Sequence, residues 1–176
     1  LLFVMTILLL LSSCKSLPDF HYSFEEEKDL DSLEWKCGTV FSLSGEHATS
    51  GEKSLKIEFY PTPKGSRDIY PGLTLKNFNP DWSDYDVLCF DVYNPEETTV
   101  PLAIRIDDRD NPTYADRFNR KIALDPGEKS IKIPLANLIT SGAKQQLRLS
   151  QIDGISLFLV DPWKKNTLYF DSFRLE

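Results

Sequence analysis

The chain has 176 residues, with 27 acidic against 20 basic side chains and a formal net charge of −7. That length allows one domain with its own core, and aromatics at 12% with hydrophobics at 41% exclude a disordered chain. The acidic excess, without a visible basic stripe, argues against a nucleic-acid partner and against docking on anionic lipid by charge.

The first stretch, Leu1 to Leu11 (LLFVMTILLLL), is apolar and uncharged. It is too short for a membrane span and has the length of a signal-peptide apolar region. Ser12, Ser13 and Cys14 follow at once. This arrangement resembles the bacterial lipoprotein signal, in which small residues precede a cysteine that is acylated and becomes the mature N-terminus. The expectation is a signal segment over 1–13 whose basic start precedes Leu1, a lipidated Cys14, a tether over 14–20, and one folded domain over 21–176. The protein would then be exported to the bacterial cell envelope and held to a membrane by acyl chains. An exported pair of Cys37 and Cys89 can form a disulfide. Cys89, however, sits in the apolar run VLCF, which favours a buried free thiol.

Beyond the tether the pattern has period two. In SLKIEFY, Leu55, Ile57 and Phe59 alternate with Lys56, Glu58 and Tyr60. Tyr70 to Lys76 reads as a strand. In VLCFDVYN, Leu88, Phe90 and Val92 alternate with Cys89, Asp91 and Tyr93, and in PLAIRID, Leu102, Ile104 and Ile106 alternate with Ala103, Arg105 and Asp107. Further strands are expected over Arg117–Leu124, Ser130–Pro134, Ile152–Val160 and Thr167–Leu175, each with one face on a core. Turn signals separate the runs: Ser50-Gly51, Pro71-Gly72, Asn94-Pro95, Asp125-Pro126-Gly127 and Asp161-Pro162. Short helical turns fit near Leu135–Ile139 and Leu149–Ile152. The sum is an all-β protein, an antiparallel β-sandwich of the jelly-roll kind.

Several pieces in this order carry a resemblance: FEEEKDLDSLEW, SGEHATSGEKSLKIEF, YPGL, DWSDYDVLCFDVYNP, RIDD with DRFN, LDPGEKSIKIPL and TLYFDSFRLE. Together they resemble the galactose-binding-like jelly rolls, which include many carbohydrate-binding modules. The resemblance implies a sandwich with a structural calcium ion where the first and last strands meet. Its ligand positions are matched here by Glu25, Glu46 and Asp171, and carboxylates beside loop carbonyls are donors that calcium accepts.

One stretch, RIDDRDNPTYADRFNR over 105–120, concentrates Asp107, Asp108, Asp110 and Asp116 among Arg105, Arg109, Arg117 and Arg120. Strand alternation sends Arg105 and Asp107 to the face opposite Ile104 and Ile106, and Arg117 and Asn119 to the face opposite Phe118. Asp91 and Tyr93 point outward on the preceding strand. If these strands are neighbours, as sequential strands usually are, all six share one outer surface. Guanidinium forks and carboxylates pair with sugar hydroxyls, and an aromatic ring stacks on a sugar's C–H face. A cross-strand lattice of ion pairs on a solvated surface accounts for the same residues equally well. Trp163, at an expected loop tip, is a further stacking candidate. Trp82 reads as a packing residue.

The functional expectation is therefore non-catalytic binding of a polysaccharide or other glycan. The alternative is an envelope protein-interaction or assembly module without a sugar site. A glycoside hydrolase is a weaker reading, because it rests only on carboxylates, which are plentiful here. No HExxH, P-loop or histidine metal pair is present in the sequence.

Overall fold

A computed structural model describes residues 20–35, 38–63, 65–66 and 69–176. The signal segment, Cys14, the tether up to residue 19 and Cys37 lie outside the described residues. The strands are β1 (His21–Tyr22), β2 (Leu33–Trp35), β3 (Thr39–Ser44), β4 (Ser54–Phe59), β5 (Gly72–Leu75), β6 (Val87–Asn94), β7 (Val100–Asp107), β8 (Phe118–Leu124), β9 (Gly127–Pro134), β10 (Gly154–Phe158) and β11 (Asn166–Leu175). They form two antiparallel sheets. Sheet A has the order β3-β4-β11-β6-β9, with β1 also pairing β11, and sheet B has the order β2-β5-β10-β7-β8.

The alternation seen in the sequence decides which side of each strand is dry. Leu55, Ile57 and Phe59 of β4, Leu88, Phe90 and Val92 of β6, and Leu168 and Phe170 of β11 are buried. They face Leu73 and Leu75 of β5, Leu102, Ile104 and Ile106 of β7, and Ile155 and Leu157 of β10 in one cluster. A bulge interrupts the register of β11 on β6 between Asp171 and Arg174. Ser172 there takes a left-handed φ of 53°. The extra residue lets Phe170 and Phe173 both face the core, where period two would have turned one of them out. The stacked pair Phe90–Phe173, 4.7 Å apart, depends on it.

Trp82 is fully buried, as a packing residue should be. Cys89 is buried with a free thiol, and burial pushes that thiol's pKa up. Short 3-10 turns occupy Leu135–Asn137 and Leu149–Gln151. The turn signal at Pro71-Gly72 is corrected: Gly72 opens β5 and pairs with Phe158. A Cβ at Gly72 would strike the Leu157 carbonyl and the Phe158 side chain. The glycine serves close strand approach there rather than chain reversal.

Candidate functional site: an open groove on the outer face of sheet B

The six clustered residues do not share a surface. β6 lies in sheet A, whereas β7 and β8 lie in sheet B. Asp91 and Tyr93 therefore stand on one outer face of the sandwich, and Arg105, Asp107, Arg117 and Asn119 on the other. The correction has a topological cause: β6 and β7 are consecutive in sequence, but the chain crosses between sheets at Asn94–Val100, as jelly rolls do.

The outer face of sheet A is covered over β6 and β11, while Val40 and Ser42 of β3 and Ser130 and Lys132 of β9 stay exposed. The loop after β3 folds over it, and the His47 ring stacks on Tyr93 at 3.6 Å and meets Tyr169 edge-on at 4.7 Å. The Tyr169 hydroxyl donates to Glu46 at 2.6 Å. Burial and that carboxylate push the Tyr169 pKa up to about 12. Asp171, 1% exposed, accepts from the backbone N–H of Thr49 at 2.8 Å and of Ser50 at 2.9 Å, and from the Thr49 hydroxyl at 3.2 Å. The same hydroxyl reaches Asp91 at 3.1 Å.

The three carboxylates proposed for calcium each have a separate task. Glu25 accepts from the backbone N–H of Glu52 and Lys53, Glu46 from Tyr169, and Asp171 from Thr49 and Ser50. N–H groups aimed at a carboxylate present the wrong polarity for a cation. Among the described residues no three His, Cys, Asp or Glu side chains are grouped to hold a metal, so the residues as placed do not fit the ion.

The outer face of sheet B is open. Its floor is built of cross-strand rows. One row runs Gly72, Phe158, Ala103, Lys121, and the next runs Thr74, Ser156, Arg105, Asn119. Neighbours along a row are about 4.8 Å apart and rows about 7 Å apart. The Thr74 and Ser156 hydroxyls bond each other at 2.9 Å and seal the floor. At one side Tyr70 meets Phe158 edge-on, with centroids 5.7 Å apart. At the other a rim forms where Ser141 N–H donates to the Arg117 carbonyl, and Gly142 and Ala143 N–H to that of Ala115. A side chain at Gly142 would strike Ala115, so only glycine permits this seam. The rim positions Tyr114, 69% exposed, and Ser141, which accepts from the Asn119 amide at 3.1 Å. Between the two sides lies a groove of about 490 Å³, lined by Tyr70, Phe158, Tyr114, Arg105, Arg117, Asn119, Arg120 and Lys121 among others.

Arg105 forks onto Asp107, with Nε to Oδ1 at 2.9 Å and Nη2 against Oδ2. Arg117 donates Nε to the Pro112 carbonyl at 2.8 Å. Burial and the neighbouring Arg105 guanidinium lower the Arg117 pKa from its ordinary value. Asp116 stays in the rim turn and accepts from the Thr113 hydroxyl at 2.9 Å, whereas Asp108 and Asp110 are drawn to the end of β7, outside the groove. Asp108, 2% exposed, accepts from Arg109, from the Arg148 backbone and from the Arg148 side chain at 3.0–3.1 Å. Asp110 lies 3.9 Å from Lys76.

Trp163 is 86% exposed. It borders a smaller cavity of about 160 Å³ that shares Val160 with the groove. Sequence reasoning missed Tyr70, Phe158 and Ser141. The alternation rule itself would have found the two rings: Phe158 falls opposite Ile155, Leu157 and Leu159, and Tyr70 is in phase with Thr74 and Lys76. No signal in the sequence brings Ser141 to Asn119.

No family model matches the chain, and no curated protein matches it. Solved structures do. A family 11 carbohydrate-binding module from Clostridium thermocellum, in complex with a β-1,3-1,4-mixed-linked tetrasaccharide, aligns over 89% of this chain and 95% of its own, with a TM-score of 0.66 at 15% identity. CBM28, a non-crystalline cellulose specific carbohydrate-binding module, aligns over 88% and 92%, with a TM-score of 0.59 at 16% identity. An exo-β-agarase aligns over 90% of this chain but 25% of its own, with a TM-score of 0.69 at 18% identity. The chain therefore has the jelly-roll fold of the carbohydrate-binding modules.

Proposed function

We propose that this protein is a non-catalytic glycan-binding module and that the outer face of sheet B is its binding face. The observation that carries the reading is the groove itself: exposed rings at Tyr70 and Tyr114 and the half-buried ring of Phe158 flank hydrogen-bonding side chains at Arg105, Arg117 and Asn119. A sugar places its C–H face on such rings and its hydroxyls on such forks. The fold shared with modules whose solved structures include a bound tetrasaccharide supports it. Hydrolysis by a glycosidase needs two carboxyl groups facing the bond. Among the described residues, no Asp or Glu lines the groove.

Electrophoresis through gels containing single polysaccharides tests this. The wild type is expected to be retarded by at least one of them, and the Tyr70→Ala Phe158→Ala double variant to run free. A wild type that no polysaccharide retards would return the protein to the interaction-module reading. The envelope anchor belongs to the same proposal: Cys14→Ser should move the protein from the membrane fraction to the soluble one, and unchanged fractionation and mass would remove it.

A further inference from the structure

We propose that the groove on sheet B selects an anionic polysaccharide, one whose sugars carry carboxylate or sulfate groups. The inference rests on the groove being the glycan site and adds the charge of what it takes. The chain is acidic, yet four cations, Arg105, Arg117, Arg120 and Lys121, line the groove, and no acidic side chain does so among the described residues. The local sign is opposite to that of the molecule.

The pairing of these cations is uneven. Arg105 is spoken for by Asp107, which holds its fork in place. Arg117 is half-buried, its one side-chain hydrogen bond goes to a neutral carbonyl, that of Pro112, and the acid that attracts it, Asp107, is already forked onto Arg105. Arg120 and Lys121 are exposed and form no ion pair among the described residues. Elsewhere the protein neutralises its cations readily: Lys76 has Asp153 at 2.7 Å, Lys164 has Glu96 at 2.7 Å, and Arg148 has Asp108 at 3.0 Å. Lys53, Lys129 and Lys144 also lack an ion pair among the described residues, but each gives its ammonium to a backbone carbonyl on a separate element, whereas Arg117, Arg120 and Lys121 line one groove together. Like charges held together repel, and the burial that lowers the Arg117 pKa makes that repulsion stronger than in water. A neutral sugar leaves it in place. A carboxylate or sulfate relieves it and accepts a guanidinium fork in two parallel bonds.

The geometry suits a polymer of modified sugars more than a free anion. Phe158 and Lys121 flank Ala103 in one row, so a ring stacked on Phe158 brings its substituents toward the ammonium across the small Ala103. Arg105 lies one row on.

Affinity electrophoresis and calorimetry should use four probes: mixed-linkage β-glucan as the neutral polymer, polygalacturonate as the carboxylated one, carrageenan as the sulfated one, and single-stranded DNA as a polyanion without the sugar chemistry. The expected result is binding to polygalacturonate or carrageenan that weakens at least tenfold between about 50 mM and 500 mM salt, as screening of charge requires, and at least tenfold in Arg117→Gln Lys121→Gln. Which of the two binds identifies carboxylate or sulfate as the anion. Binding of the neutral glucan, lost in Tyr70→Ala Phe158→Ala but indifferent to salt and to Arg117→Gln Lys121→Gln, would overturn the anionic inference and keep the glycan site. DNA binding as tight as that of the anionic sugars would also overturn it, leaving a generic polyanion patch. No binding of any polysaccharide would overturn both readings. Thermal melts of each variant within a few degrees of wild type separate lost contacts from lost fold.

Discussion

The two outer faces of the sandwich start from the same sequence pattern and end differently. On sheet A the polar side chains of β6 and β11 are used up by the protein itself. His47 lies flat on Tyr93, Glu46 takes the Tyr169 hydroxyl, and Asp171 takes two backbone N–H groups of the loop above it. On sheet B the polar side chains of β7 and β8 open into a groove. Alternation puts a residue outside the core without deciding whether it meets solvent. The decision belongs to the connections: a loop that turns at the positive-φ residues His47 and Gly51 bends back over β6 and β11 of sheet A, whereas the loops around Tyr114 and Ser141 stand at the rim of sheet B and leave a groove beside them.

The largest effect that should break this contrast is on the covered face. Asp171→Ala removes a buried carboxylate and strands the N–H groups of Thr49 and Ser50, which should cost about 2–4 kcal/mol of stability in a denaturant melt. Glycan binding by the folded fraction should be unchanged. Because the N–H groups already satisfy Asp171, calcium or a chelator should leave the wild-type melting temperature where it is.

A second effect depends on pH. Burial raises the Asp108 carboxyl pKa, but the hydrogen bonds from Arg148 and then Arg109 outweigh it and hold it below the usual carboxylate range. The folded pKa is below the unfolded one, so this stabilisation is complete above about pH 5. It is lost as pH falls from about 4 through the lower folded value. Asp108→Asn should reduce stability at neutral pH by about 1–3 kcal/mol and flatten the acid limb of the stability curve. An acid limb of unchanged slope in that variant would mean the carboxylate is not held by its arginines.

On the open face Tyr70→Ala should weaken glycan binding about fivefold, close to 1 kcal/mol, with stability altered by less than about 0.5 kcal/mol, since the ring is half exposed. Smallest is Tyr93→Ala, which loses the His47 stack: a stability loss of about 0.5–1 kcal/mol, with no change in binding isotherms. A binding loss in Tyr93→Ala without one in Tyr70→Ala would exchange the roles of the faces.

Much of the fold was legible because the core demands alternation. Leu55 to Phe59, Leu88 to Val92 and Leu102 to Ile106 declare their strands and their buried sides. The short strands β1 and β2 carry too few residues to show a period, and β3 mixes Thr, Ser and half-buried residues. The bulge at Ser172 is invisible until Phe170 and Phe173 are seen on the same side. Part of the candidate site is legible too. Arg105, Arg117 and Asn119 follow from the strand faces, but Asp91 and Tyr93 stand on the other outer face, because which sheet a strand joins is a property of the crossovers and not of the strand. The calcium expectation turns on a related detail. Glu25, Glu46 and Asp171 do lie around one loop, yet whether that loop turns carbonyls or N–H groups toward them depends on its φ values, which residue type alone leaves open.

The central claim is that the open face, and not the covered one, receives the glycan. Backbone amide chemical shifts recorded while an oligogalacturonate or carrageenan oligosaccharide is titrated into the protein test it most directly. The account predicts that shifts gather at residues 103–105, 119–121 and 156–158, with the Tyr70 and Tyr114 rims following. Shifts gathered instead at residues 47–50, 91–93 and 169–171 would contradict it.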